Sequence, residues 1–318
     1  MAGWLARRTA HAAVTWAGAV VALFLLLRLL PGDPLASAAD LPPETRLALA
    51  HLYGVDQPLL TQLGHFTAGL LHGDLGTSVL YGRPVVELLA AHLPATLLLG
   101  LAVLLTDFGL AWWLGNRLAA RAGSRADRWA NRALLAGHAL PPYWLGLLLI
   151  WPLALTWGLL PAAGLADPLL PAGAGATRAL DVARHLVLPW LTLTLTTLAV
   201  PLRHHREAVY ETLASDWVRA ARARGVPEGE VLARHGARPS LGPLLALVGA
   251  WLPMALTGSL LVEGVFAWPG IGWLMAESVG GRDLPLATGC AALGALAAIG
   301  GMWLADVLHR LLDPRVAA

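Results

Sequence analysis

Six stretches of this sequence are apolar over the length a helix needs to cross roughly 30 Å of hydrocarbon, about 20 residues at 1.5 Å each. They run at about Ala10 to Leu30, Leu93 to Leu118, Ala133 to Leu160, His185 to Leu202, Leu241 to Val262 and Leu286 to Leu308. Inside lipid every backbone N–H and C=O must find a partner within the protein, so such stretches fold as helices. The expected class is therefore all-α, a polytopic membrane protein with six transmembrane helices. Composition agrees: 57% of the 318 residues are hydrophobic and 13% are charged, against roughly 25% charged in a soluble domain. The first stretch follows a basic start and could pass for a signal peptide, but it is long enough to span and reads as a retained anchor.

The polar segments between these stretches fix an orientation. Arg7 and Arg8 precede the first span, and Arg117, Arg121, Arg125, Arg128 and Arg132 separate the second from the third. The segment from Pro31 to His92 instead carries Asp33, Asp40, Glu44, Asp56, Asp74 and Glu87 against Arg46 and Arg83. Seven arginines, at 203, 206, 219, 222, 224, 234 and 238, flank or occupy the loop before the fifth span. Basic loops stay on the cytoplasmic side, so both termini are expected there and the acidic segment outside. Every basic residue other than histidine is arginine. With no lysine there is no P-loop lysine, which excludes nucleotide hydrolysis by that route. The single cysteine, Cys290, cannot form an internal disulfide.

The acidic segment opens with PGDP at Pro31 to Pro34, which stops the first helix. A helical pattern, ETRLALAHLYG, follows and ends at Gly54, and HGDLGTS at His72 to Ser78 and YGRPV at Tyr81 to Val85 are turn-rich. Together they predict a short ordered cap, after which Leu93-Pro94-Ala95-Thr96 opens the second span. Beyond the fifth span, VEGVFAWPGIGWL at Val262 to Leu274 is too rich in glycine and proline for a straight helix, and predicts a hairpin or re-entrant turn at the external mouth. LLDPR, Leu311 to Arg315, ends the last span.

The longest basic loop holds SDWVRAARARGVPEGEVLARHGARP, Ser215 to Pro239. Asp216 suits the positive end of a helix dipole, and Arg219, Arg222 and Arg224 suit its C-terminal half. Ala220, Ala221 and Ala223 keep that helix slim. Gly225 lets the chain turn with positive φ, and Pro227 fits the first turn of a second helix. A slim cationic helix before a sharp turn is shaped to enter a groove on another protein. The alternative from spacing alone is an amphipathic loop lying on anionic lipid headgroups.

Arg219-Ala220-Ala221 followed by Gly225 resembles the EAAxxxG signature of ABC importer permeases, with arginine in place of glutamate. The wider pattern is similar to the dipeptide, oligopeptide and nickel importer permease family. It includes LLRLLPGDP ending at Pro34, GDLGTS at Gly73 to Ser78, GRPV at Gly82 to Val85, LPAT at Leu93 to Thr96, VEGVFAWPGIG at Val262 to Gly272 and the C-terminal LLDPR. The resemblance implies a multi-pass subunit of the bacterial cytoplasmic (inner) membrane. Residues 1–30 would form the N-terminus and first helix, 31–92 the external region, and 93–318 a permease core containing a coupling loop at 209–240. It further implies a second homologous permease, two ATPase subunits that bind the ATP and magnesium, and an extracellular substrate-binding protein as partners. The chain itself would have no cofactor, no metal and no nucleic acid. The segment from Asp216 to Gly225 would be the coupling helix, with Asp216, Trp217, Arg219, Ala220, Ala221, Arg222, Arg224 and Gly225 at the ATPase. The general signature would place Ile, Leu and Pro at 235, 237 and 238, where this sequence has His235, Ala237 and Arg238.

Within the spans, Asp107 is a costly carboxylate that lines a pathway, bonds Thr106 or a neighbouring helix, or sits near the cytoplasmic interface. Glu263 and Phe266 are candidates for an external gate, the alternative for Glu263 being a cap on backbone N–H groups. Arg28 is placed to snorkel, and Asp306 to pair with Arg310 or His309. The 11 histidines show no HExxH spacing, and His51, His65, His72 and His92 are scattered over the external segment. No paired catalytic motif supports a membrane enzyme, and no clear internal repeat supports a stand-alone carrier. Peptides, nickel or a metal complex remain open as cargo, because much of the selectivity in such importers belongs to the binding protein.

Overall fold

The computed structural model describes residues 2–29, 42–44, 47, 56–171, 175–257 and 259–312. PGDP, the pattern ending at Gly54, and Pro314 with Arg315 therefore lie outside the described residues. The named elements are all helical: α1 (Ala2–Leu29), α2 (Leu59–Leu71), α3 (Val85–Ala120), α4 (Arg125–Ala139), α5 (Pro142–Ile150), α6 (Gly175–Thr197), α7 (Ala199–Leu213), α8 (Asp216–Ala223), α9 (Glu228–Glu230), α10 (Leu241–Thr257), α11 (Leu260–Val265), α12 (Ile271–Gly280) and α13 (Leu284–Leu312). Wider π-helical turns continue α5 over Trp151–Thr156 and α9 over Val231–Ala237. The chain forms two compact units, one of Met1–Leu98 with Leu256–Gly300 and one of Leu99–Ala255 with Gly301–Ala318.

Among the described residues three helices, α1, α3 and α13, are individually long and apolar enough to cross a membrane, and two bent pairs, α4 with α5 and α6 with α7, raise that number to five. The apolar stretch of α10 is shorter. The expected third span, Ala133 to Leu160, is not one helix. The chain bends by 99° between α4 and the α5 segment, because Pro141 and Pro142 follow Leu140, which is extended at ψ 135°. The piece from Ala133 to Ala139 belongs to α4, an amphipathic helix capped by the Ser124 hydroxyl on the Asp127 amide. The fourth span is likewise bent by 45° between α6 and α7. The fifth is interrupted, since α10 ends at Thr257 and Ser259 is extended.

The second span starts earlier than its proline suggests. Pro94 lies inside α3, which begins at Val85 and runs for 36 residues. Tertiary packing overrides the missing hydrogen bond. Val85, Leu88 and Leu89 are buried with Ile271 and Leu274 of α12 and Leu286 and Cys290 of α13, close packing of the kind that holds helices together even in lipid. In the second unit Phe108, Ala111 and Leu118 of α3 pack with Leu198, Leu202 and Leu244. A further cluster of Ala119, Val209, Leu213, Val218 and Val231 lies under α8.

Candidate functional site

The polar loop is folded as tightly as a core element. Ser215 takes extended dihedrals ahead of α8, and Asp216 occupies its first turn. The helix ends in a Schellman turn: the Val226 amide donates to the Ala221 carbonyl at 3.3 Å and the Gly225 amide to the Arg222 carbonyl at 2.9 Å. Gly225 has φ +81°, the left-handed conformation expected there and strained for any residue with a Cβ. Pro227 falls one position earlier than expected, at the N-cap of α9 with ψ 142°.

The loop's candidate residues divide by direction. Val218 and Ala221, three residues apart, are fully buried, so Ala221 faces the chain's own interior. Arg222 is exposed but bonded back to its own chain. Its guanidinium donates to the Leu213 carbonyl at 3.1 Å and grips the Glu228 carboxylate in a fork of 2.7 and 3.1 Å. That pair holds the Glu228 carboxyl below its ordinary range and raises the guanidinium. Asp216 pairs with Arg219, and Trp217 stands edge-on to His235 at 5.7 Å. Trp217, Arg219, Ala220, Ala223 and Arg224 are exposed, as are Asp216 and Arg222.

Behind α8, helix α7 is tied to α4. Arg206 donates from Nε and Nη2 to the two carboxylate oxygens of Asp127, both at 2.7 Å. Asp127 also accepts from the Gly123 amide at 2.9 Å and from Asn131 at 3.1 Å. This forked, nearly buried pair joins two helices that precede the loop, and sequence reasoning missed it. The sequence offers only a weak signal, an acid alone among five arginines.

In the first unit the VEGVFAWPGIG stretch builds a helical hairpin, α11, a turn and α12, around Glu263. The buried carboxylate accepts from the Trp273 amide at 3.0 Å and the Thr96 hydroxyl at 3.3 Å, while Thr96 Oγ1 accepts from the Ile271 amide at 2.7 Å. Two side chains thus satisfy orphan N–H groups in the first turn of α12. Trp268, fully buried, donates to the Ala95 carbonyl at 2.9 Å. A Cβ at Gly270 would meet the Glu263 carboxylate and Thr96 Oγ1, and one at Gly272 would come within 2.8 Å of the Leu260 amide. LPAT and VEGVFAWPGIG are therefore one construction, with Glu263 acting as a cap and Phe266 buried beside it.

GDLGTS and GRPV meet in the same way. Thr77 bridges Pro84, the Ser78 amide donates to the Arg83 carbonyl at 2.9 Å, and the Val85 amide to the Gly76 carbonyl at 2.9 Å. Buried Asp283 caps α13 through the Leu286 amide at 3.0 Å and accepts from the Ser78 hydroxyl at 2.5 Å and the Leu80 amide at 3.0 Å. Its place directly before an apolar helix was the available N-cap signal. Asp107 bonds a neighbouring helix: the Thr197 hydroxyl donates to it at 2.6 Å, while Thr106 accepts from Trp190 at 3.0 Å. Arg28 lies over the Phe24 ring at 5.4 Å and lines a cavity of about 420 Å³. Asp306 and Arg310 are one turn apart on α13. Among the described residues, no three His, Cys, Asp or Glu side chains are grouped to hold a metal ion.

Residues 108–318 match the family described as the binding-protein-dependent transport system inner membrane component. The chain belongs to that family. The permease is 31% identical over 99% of both chains to the oligopeptide transport system permease protein AppB of Bacillus subtilis. It is 32% identical, again over 99% of both, to the di/tripeptide transport system permease protein DppB of Pseudomonas aeruginosa. The dipeptide transport system permease protein DppB of Escherichia coli is 29% identical at the same coverage. The permease is thus a multi-pass membrane subunit of an ABC importer, and a transport component rather than an enzyme.

Proposed function

We propose that this permease forms part of the import pathway for peptides or a related small solute, and that α8 is where ATPase subunits drive it. The peptide reading rests on the names of full-length relatives. The coupling reading is carried by one observation: α8 exposes Trp217, Arg219 and Arg224 while Val218, Ala221 and Arg222 fasten it to the rest of its unit. A rigid helix with an exposed tryptophan and arginines suits a partner's cleft, since these residue types dominate binding hot spots. The assembly comprises a second, similar permease, two ATPase subunits that carry the ATP and magnesium, and an extracellular binding protein, with both termini in the cytoplasm as the arginine distribution favours. Glu263 serves this permease as the cap that holds the hairpin of α11 and α12, with Phe266 buried beside it.

Replacing Trp217, Arg219 and Arg224 together by Ala tests this. Each is exposed, so the melting temperature of the purified permease should hold, while ATPase subunits should no longer co-purify and uptake should fall. Retention of both ATPase and uptake in that variant would refute the coupling role.

A further inference from the structure

Between α4 and α7 the second unit has an open cleft of about 610 Å³. One wall is a helical stripe of α4, Asn131, Leu135 and His138, and the other a stripe of α7, Val200, Arg203, His204 and Glu207. The two walls change character together. Leu135, Ala199 and Val200 make one end largely apolar, the His138 ring there being bonded to the Thr196 carbonyl at 2.7 Å, whereas Arg203 makes the other end cationic, with His204 exposed beside it. The acid at that end is already engaged, since Glu207 and Asp127 both pair with Arg206. Among the described residues Arg203 makes no ion pair.

We propose that this cleft binds an anionic phospholipid, with its phosphate at Arg203 and His204 and the start of its acyl chains along Leu135, Ala199 and Val200. The bend of 99° between α4 and the α5 segment carries the argument to the membrane. If α5 crosses the bilayer, α4 lies along its surface. There α4 exposes Trp129, with 67% of its surface accessible, and Arg132 lies over that ring at 5.6 Å. An aromatic ring and arginines on a surface-lying helix are the usual means of holding at headgroup depth. Arg203 follows directly on the apolar run ending at Leu202, which sets it at the same level. A soluble anion would have no use for the apolar end of the cleft, whereas a phospholipid fills both.

The test is native mass spectrometry of the full-length permease with its co-purifying subunits, released from nanodiscs holding equal phosphatidylglycerol and phosphatidylcholine. Wild type should retain phosphatidylglycerol in preference. Arg203→Gln should weaken that preference about fivefold, the scale of one basic residue at a charged surface. Arg203→Lys should restore it, and Arg125→Gln, on α4 but outside the cleft, should leave it intact. Equal retention of the two lipids by wild type would overturn the proposal, as would an unchanged preference in Arg203→Gln or displacement of the lipid by millimolar inorganic phosphate. A disulfide between Leu135→Cys and a cysteine of a companion membrane subunit would show that protein fills the cleft, and would also overturn it. Loss of phosphatidylcholine as well in Arg203→Gln would mark misfolding, and the Arg203→Lys result then decides.

Discussion

The turn after α8 and the turn between α11 and α12 are both tight links between helices, and both fall in stretches that resemble a family motif, yet they use polar residues in opposite ways. Around α11 and α12 the polar side chains point inward: Glu263 and Thr96 are buried and spend their oxygens on the first turn of α12. Around α8 the buried positions are apolar, Val218 and Ala221, and the charges are exposed, Arg222 alone being tied back to the Leu213 carbonyl. The first motif is a construction whose chemistry is used up in holding itself. The second is a platform whose chemistry is left for something else. A residue in a motif is thus not by itself a residue at a site.

The sharpest way to break this contrast is Glu263→Ala. It would strand the Trp273 amide and the Thr96 hydroxyl in a buried place, a cost of about 3 kcal/mol or more. The detergent-solubilised permease should melt markedly earlier, with uptake lost in proportion to folded protein. A Glu263→Ala variant that melted normally but failed to transport would return Glu263 to the gate.

Next in size is Asp127→Ala, which leaves Arg206 without its forked partner and should cost about 2 kcal/mol, given that the pair is largely but not fully buried. The loop should loosen with it, because α7 runs into α8 through only Ala214 and Ser215. Faster amide exchange across α8 in Asp127→Ala would show that linkage, and unchanged exchange would show the loop to be held by its own apolar cluster alone. Gly225→Val is smaller, about 1 kcal/mol for forcing a β-branched residue to positive φ. Its effect should be larger on uptake than on melting, since the turn aims α8.

The sequence made the class of the protein plain, because apolar stretches of spanning length have one fold available to them in lipid. It also made the α8 turn plain, where local chemistry alone decides: an acid at the start and a glycine at the C′ position. What stayed hidden was long-range. Nothing near Glu263 announces Thr96, 167 residues away, nor near Ser78 announces Asp283, 205 residues away. Pro94 misled as a helix start because packing of Val85 and Leu88 outweighs a lost backbone bond. The corner at Pro141-Pro142 was legible in principle, since consecutive prolines after a helical pattern mark its end, but the apolar residues on both sides suggested one uninterrupted span.

The smallest effect separates the two kinds of charge on the loop itself. Arg222 and Glu228 form a forked pair at 2.7 and 3.1 Å, but they are exposed, so their coupling should be about 0.5 kcal/mol and fall with added salt. Its pH dependence has a definite sign. The Arg222 guanidinium lowers the Glu228 pKa, so the brace stabilises the loop in full above the ordinary glutamate range and is lost as pH falls through the depressed folded value. A double-mutant cycle with Arg222→Gln and Glu228→Gln, followed by amide exchange at Gly225 and Val226, should show coupling at neutral pH that fades in acid. Absence of coupling even at neutral pH would mean Arg222 holds the loop through the Leu213 carbonyl alone, an uncharged acceptor that does not titrate. In that case the Schellman turn and the buried Val218 and Ala221 would carry the platform without help from Glu228, and the exposed carboxylate would be free for a partner.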